Sequence, residues 1–252
     1  MIQETVLEKT FTVQRADDVR RITALGDLCG VMAVMLDYKT LAQVCDGLSS
    51  GALIEDVKAI FSELDIADPR AEDVVRSLEA LRDDIASDVL SFVALRPEYT
   101  RLFNHPDKPA LPYYEGAFIN RRSVAQGREE PDHDLLFINQ AACDADRQYK
   151  RAGVKRSLDE NIPGDCMTTE MAFMQHLLGL KTCAVLDGDE QTETEIDGWL
   201  HEFMRLHLRV WMGDFFKGLN EASSQRYFQT VSLLGTVLVD YLAATYPSAF
   251  RR

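Results

Sequence analysis

The chain has 252 residues, 46% of them hydrophobic, which is enough apolar material for a continuous buried core. It carries 27 Lys and Arg against 41 Asp and Glu, a formal net charge of −14. This charge argues against a nucleic-acid backbone or an anionic membrane surface as the main partner; it suits a cationic partner, although many cytosolic proteins are acidic for solubility alone.

The chain start carries acids where a secretory leader needs basic residues, so no export leader is predicted. Arg20 and Arg21 precede an apolar stretch that imitates a twin-arginine leader, but Asp27 interrupts it and its apolar positions keep helical spacing. The five cysteines include no Cys-x-x-Cys pair, so neither a disulfide framework nor a zinc knuckle is indicated. These features predict a cytoplasmic protein whose first helices belong to the core.

Apolar residues recur at steps of three and four along most of the chain, as at Ile22 to Leu36, Val74 to Val89 and Tyr227 to Tyr241. Asp68-Pro69 is a typical helix start and predicts a helix from about Pro69 to Leu95. Two-residue alternation is confined to two short stretches, Thr10–Val13 and Leu135–Ile138. The fold class predicted is therefore all-α, without a substantial sheet.

The helical pattern breaks between residues 104 and 122, where His105-Pro106, Lys108-Pro109 and Leu111-Pro112 predict extended or turn backbone. We interpret this stretch as a hinge or buried crossover between an N-terminal helical half, about 1–103, and a C-terminal half, 123–252, of one domain. A second, acidic interruption at 187–197 predicts a surface loop or a turn between helices.

The sequence lacks the usual spacings for metal, phosphate or serine-hydrolase chemistry. His201 and His207 are six apart and therefore lie on different faces of a helix. His207 falls in an apolar stripe with Phe203 and Trp211, which favours a core histidine over a ligand. No metal site and no cofactor are predicted.

Pro163-Gly-Asp165-Cys166 predicts another helix start, with Asp165 capping the turn that follows. Glu170 then lies on an apolar stripe, so it requires an interhelix arginine partner or a polar groove. A thiol at a helix N-terminus has a lowered pKa. One alternative is therefore a helical small-molecule enzyme that uses Asp165, Cys166 and Glu170, but a structural or binding role is favoured.

Five short motifs in this order resemble the TorD/DmsD family of redox-enzyme maturation chaperones: Glu98 to Phe103, Leu111 to Phe118, Tyr149 to Val154, Pro163 to Met174, and His207 to Trp211 followed by Phe215-Phe216. The resemblance implies an all-helical fold of about ten or more helices and a cytoplasmic chaperone without enzymatic activity. Such a chaperone binds the twin-arginine leader, and often the body, of a molybdopterin-dependent oxidoreductase until its cofactor is inserted and export is permitted.

The resemblance implies a partner-binding site with carboxylates beside aromatic rings, which suits a leader with two arginines and an apolar segment. The motif Leu111 to Phe118 forms the aromatic turn, and we expect at least one of its two tyrosines, Tyr113 and Tyr114, to be exposed. The client implied is of the dimethyl-sulfoxide-reductase type, and monomer and homodimer both stay open, as does a dimeric interaction scaffold without chaperone action. The partner-binding residues predicted are Tyr113, Tyr114, Glu115 and Phe118 from the aromatic turn, and Pro163, Asp165, Cys166 and Glu170 from the helix start.

The sequence departs from the family at Cys166, where the usual Pro-x-Asp-His motif has histidine. A role that depends on an imidazole at this position is therefore not carried over. Pro131-Asp132-His133 spells a similar string, but it precedes the Tyr149 motif instead of following it, and we treat it as a coincidence.

Overall fold

A computed structural model describes residues 2–106, 108–128, 139–155 and 163–251, with side chains from residue 15 onward. The described residues form helices and contain no β-strand, so the predicted all-α fold is confirmed. The helices are α1 (Ile2–Leu36), α2 (Leu41–Ser50), α3 (Ala52–Glu63), α4 (Pro69–Ala86), α5 (Phe92–Tyr99), α6 (Glu115–Ala125), α7 (Gln140–Arg151), α8 (Met167–Asp187), α9 (Glu190–Phe203), α10 (Arg209–Ala222), α11 (Arg226–Thr245) and α12 (Pro247–Phe250).

In the part of the chain that the structure describes, two π-helical turns interrupt the regular α-helices. Thr100–Asn104 continues α5, and Met204–Leu208 joins α9 directly to α10. Such turns are rare and often occur at functional sites.

The core lies between the longest helices. α8 packs along α1, and α11 packs on α10, α4 and α1. α11 is the one helix in the described part of the chain with the length and apolar composition to cross a membrane. Its residues Tyr227, Val231, Leu234 and Leu238 are completely buried against these neighbours, as in a core helix.

The predicted helix at Pro69 begins where expected, but it ends at Ala86 and not at Leu95. Asp68 caps it by accepting a hydrogen bond from the Arg70 N–H at 2.9 Å. Asp88 then adopts a left-handed φ of 58°, which ends the helix. The apolar stripe extends into α5, which has its own cap at Ser91.

The extended backbone predicted for 104–122 is confined to its first half. α6 begins at Glu115, because the prolines end at Pro112 and nothing beyond them breaks a helix. A hinge in this segment stays a prediction.

Of the two structures predicted for 187–197, a surface loop and a turn between helices, the structure has the turn, and it is confined to Gly188 and Asp189. Gly188 is left-handed, Asp189 caps the Thr192 N–H at 3.0 Å, and α9 begins at Glu190. Of the other sequence features, Thr10–Val13 lies in α1, whereas Leu135 to Ile138 and Pro131-Asp132-His133 lie outside the described residues.

Candidate functional site

The aromatic turn and the helix start at Pro163 meet, although about fifty residues separate them in sequence. Tyr114 and Cys166 form an isolated antiparallel bridge. The Glu115 N–H donates to the Asp165 carbonyl at 2.8 Å, and the Met167 N–H donates to the Tyr113 carbonyl at 3.3 Å. Backbone pairing therefore joins the two segments that carry the predicted site residues.

The two tyrosines of the turn occupy different environments. Tyr113 is buried, and its hydroxyl donates to the Leu36 carbonyl at 2.9 Å. Burial raises the pKa of Tyr113 well above its usual value. Tyr114 is only half-buried and packs edge to face on Tyr113, with ring centroids 6.0 Å apart. Tyr114 is thus the tyrosine of this pair with accessible surface, and Tyr113 belongs to the core.

Phe118 and Pro163 are half-buried like Tyr114. The Phe118 ring packs on Trp211 and Phe215 of α10, with centroids 5.6 Å and 6.4 Å away. Tyr114, Phe118 and Pro163 are the predicted site residues that keep accessible surface, and we call this set of three the aromatic rim.

Asp165 is fully buried and caps α6, not the helix that follows it in sequence. Its Oδ2 accepts from the Gly116 N–H and from the Asn139 side-chain amide, both at 3.0 Å. Burial raises the pKa of Asp165, and these hydrogen bonds oppose the rise. A Cβ on Gly116 would lie 2.6 Å from the Asn139 side chain, so the close approach requires glycine.

Cys166 stands at the N-terminus of α8 and is 3% exposed. Its Sγ lies 2.8 Å from the Thr169 hydroxyl. The side chain predicted as the nucleophile of the alternative enzyme therefore lies beneath the surface.

Glu170 is completely buried, and its partner is a tryptophan, not the arginine that was one of the two alternatives predicted. The Trp211 indole N–H donates to Glu170 Oε2 at 3.0 Å. No group in the described residues donates to Glu170 Oε1. Burial, together with the nearby Glu115 carboxylate, raises the pKa of Glu170 well above its usual value.

His207 is the site residue that the sequence reasoning missed. It lies in the π-helical turn Met204–Leu208, and its Nδ1 is 2.7 Å from Glu115 Oε2. Its Nε2 is 3.1 Å from Asp144 Oδ2 and 3.2 Å from the Gln148 side-chain nitrogen. Burial acts to lower the pKa of His207, but the hydrogen bonds and charges of Glu115 and Asp144 outweigh it, and the pKa is raised.

A signal for this pairing exists in the sequence. Glu170 and His207 are both polar residues on otherwise apolar stripes, and each therefore needs a buried partner. Glu115, Glu170 and His207 each offer one ligand atom, and these atoms lie within 4.8 Å of one another. Single-helix spacing rules could not find the cluster, because its members come from α6, α8 and the turn before α10.

Tyr149 supports the site from within the core. It is buried, and its hydroxyl donates to the Gly164 carbonyl at 2.7 Å, which holds the backbone just before Asp165. The Tyr149 motif is thus structural, and four of the five motifs converge on one site.

The family model of the nitrate reductase delta subunit matches residues 67–217, which include all of these site residues. No curated protein and no solved structure matches the chain.

Proposed function

Because the chain belongs to the nitrate reductase delta subunit family, whose members are redox-enzyme maturation chaperones, we propose that it binds the twin-arginine leader of its client through the aromatic rim. The family acts on molybdoenzymes, so the partner is a molybdoenzyme catalytic subunit. In our proposal the client is of the dimethyl-sulfoxide-reductase type. The chaperone acts in the cytoplasm, where it delays export and favours the conformation that accepts the cofactor.

The observation that supports the proposal is that the motif residues meet in one site, at which two aromatic rings keep accessible surface. Tyr114 and Phe118 keep part of their surface free and can pack against an apolar segment or a guanidinium group. Two partly exposed carboxylates flank α6: Asp144 beside His207, with 27% of its side chain exposed, and Asp214, paired with Arg122, with 58%. Such carboxylates can accept hydrogen bonds from leader arginines.

The remaining predicted partner residues act indirectly in this proposal. Tyr113, Glu115, Asp165, Cys166 and Glu170 are buried and bonded within the protein, so they shape the rim without touching a leader in this conformation. Direct contact would require the turn to separate from the start of α8.

Leader binding is tested by titrating a labelled twin-arginine leader peptide into the full-length chain and following fluorescence anisotropy. The variant is Tyr114→Ala combined with Phe118→Leu, which keeps an apolar side chain against Trp211. Removal of rim contacts is expected to weaken binding at least about tenfold, or about 1.4 kcal/mol.

The matched control is Val89→Ala. Val89 is an exposed apolar residue, 69% accessible, and it lies in the turn between α4 and α5, outside the segments that carry the rim. We expect its affinity for the peptide to equal that of the unmodified chain. Equal affinity of the rim variant and the control, with unchanged thermal unfolding, would overturn the proposal.

A further inference from the structure

Glu115, Glu170 and His207 form a buried triad outside any role in leader contact. They come from the first turn of α6, the first turn of α8 and the π-helical turn before α10. All three are at most 2% exposed, and their ligand atoms lie within 4.8 Å of one another. One imidazole nitrogen and two carboxylates are a common ligand set for a divalent transition-metal ion.

The distances suit a small ion. Ligand atoms about 2.0–2.1 Å from a tetrahedral zinc ion stand roughly 3.4 Å from each other. The Nδ1 of His207 and Oε2 of Glu115 are 2.7 Å apart, and no two ligand atoms of the triad are more than 4.8 Å apart. Shifts of about an ångström in side-chain position would bring three ligands around one ion.

A second observation is the carboxylate oxygen that lacks a donor. Glu170 is completely buried, Trp211 donates to its Oε2, and no group in the described ranges donates to its Oε1. A buried oxygen without a hydrogen-bond partner destabilises a fold, and more so if it is charged. A cation in the triad would supply the missing interaction.

The groups around the triad orient it as the outer partners of metal ligands do. Asp144 Oδ2 lies 3.1 Å from His207 Nε2; in the tautomer that carries its proton on Nε2, His207 donates to Asp144 and its Nδ1 lone pair faces Glu115. Metal-bound histidines almost always donate their second N–H in this way. The Asp144 side chain is 27% exposed, so this partner of His207 reaches solvent.

We propose that Glu115, Glu170 and His207 bind a divalent transition-metal ion of the zinc type. The ion fixes the aromatic turn to α8 and α10 and offers a fourth coordination position. This proposal does not rest on leader binding. The competing occupant of the gap between His207 and Glu115 is a proton, and the experiment separates the two.

The test uses the full-length chain after dialysis against a chelator. Zn²⁺ is titrated by calorimetry, and Co²⁺ is added in parallel because its visible spectrum reports coordination. We expect one Zn²⁺ per chain and a Co²⁺ spectrum without a thiolate charge-transfer band. His207→Gln and Glu170→Gln should each lower the Zn²⁺ affinity more than about 100-fold, and Asp144→Asn about 10–100-fold.

The matched control is His201→Gln, since His201 lies on α9 and is bonded to Ser248, away from the triad. Its affinity for Zn²⁺ should be unchanged. Circular dichroism checks that each variant folds, and Glu115→Gln replaces any variant that does not. No stoichiometric binding, equal binding by His207→Gln, or a thiolate band would overturn the proposal and leave a proton between His207 and Glu115.

Discussion

The contacts of Glu98 and Arg101 show that the Glu98 motif stabilises the fold and does not belong to the candidate site. Glu98 accepts hydrogen bonds from Arg101 at 2.7 and 2.8 Å and from the Ser224 N–H and hydroxyl at 2.7 and 3.0 Å. Arg101 also donates to the Ala222 carbonyl. This group of contacts, the Glu98 clamp, ties α5 to the connection between α10 and α11.

The Glu98 clamp predicts a specific loss of stability in acid. The hydrogen bond from Arg101 holds the pKa of Glu98 at about 2, against 4.5 for a free glutamate. A lowered pKa contributes stability that is complete above pH 4.5 and is lost as the pH falls towards 2. Glu98→Gln should therefore unfold at a lower temperature at pH 7, and the difference from the unmodified chain should shrink between pH 4.5 and 2.

Glu195→Gln is the control for this experiment, because Glu195 is exposed on α9. Thermal unfolding followed by circular dichroism at each pH gives the comparison. A constant difference between Glu98→Gln and the unmodified chain across that pH range would contradict the assignment.

At this scale the sequence predicts local partners and misses distant ones. The Asp68 cap was predictable because its acceptor and donor are two residues apart. The pairing of Glu170 with Trp211 was not predictable, because the packing of the helices decides which buried donor lies next to Glu170. Asp165 shows the same limit, since its carboxylate caps a helix 49 residues away in sequence instead of its neighbour.

At the scale of elements, helix starts were better predicted than helix ends. Asp68-Pro69 marks a start with its own chemistry, whereas the apolar stripe around Leu95 continues across the break at Asp88. Acidic residues at 187–197 indicated a surface loop or a turn between helices, yet the turn is short and Glu190 already begins α9. A polar sequence indicates that a segment is exposed to solvent, but an exposed segment can still be helical when its first turn is capped.

The contact between α10 and α11 depends on Gly235. A Cβ there would lie 2.3 Å from the Phe216 ring, and Phe216 is fully buried. Gly235→Ala is therefore expected to destabilise the fold by about 1–3 kcal/mol through overpacking, although alanine is the better helix former. Urea unfolding measures the change.

The matched control is Gly179→Ala in α8, where an added Cβ meets nothing within 4 Å. It should raise the free energy of unfolding by about 0.5–1 kcal/mol, the gain expected for alanine over glycine inside a helix. Equal effects of the two substitutions would show that the close packing at Gly235 does not limit the structure.

At the scale of the whole molecule, the N-terminal helix supports the site although it lies outside the family match. The last carbonyls of α1 lack partners within the helix. The hydroxyls of Tyr99 and Tyr113 both donate to the Leu36 carbonyl, at 3.1 and 2.9 Å, and that of Tyr227 donates to the Met35 carbonyl at 2.9 Å. The aromatic turn is therefore anchored to the end of α1, a contact that helical periodicity alone could not predict.

The net charge of −14 bears on how a cationic leader binds. Attraction between an acidic protein and a basic peptide is screened at a Debye length of about 10 Å in 0.1 M salt and about 3 Å in 1 M salt. We expect the dissociation constant of the twin-arginine peptide to rise at least several-fold between these salt concentrations. Anisotropy titrations across the salt series measure it.

A peptide with both arginines replaced by lysine distinguishes attraction by the net charge of the protein from specific recognition of arginine at the rim. It keeps the peptide's charge, so its affinity should show the same salt dependence. Lysine cannot form the bidentate hydrogen bonds that arginine forms with carboxylates such as Asp144 and Asp214, so its affinity should be lower at every salt concentration. Equal affinities would mean that charge alone attracts the leader, whereas salt-independent binding would assign the affinity to apolar contacts at Tyr114 and Phe118.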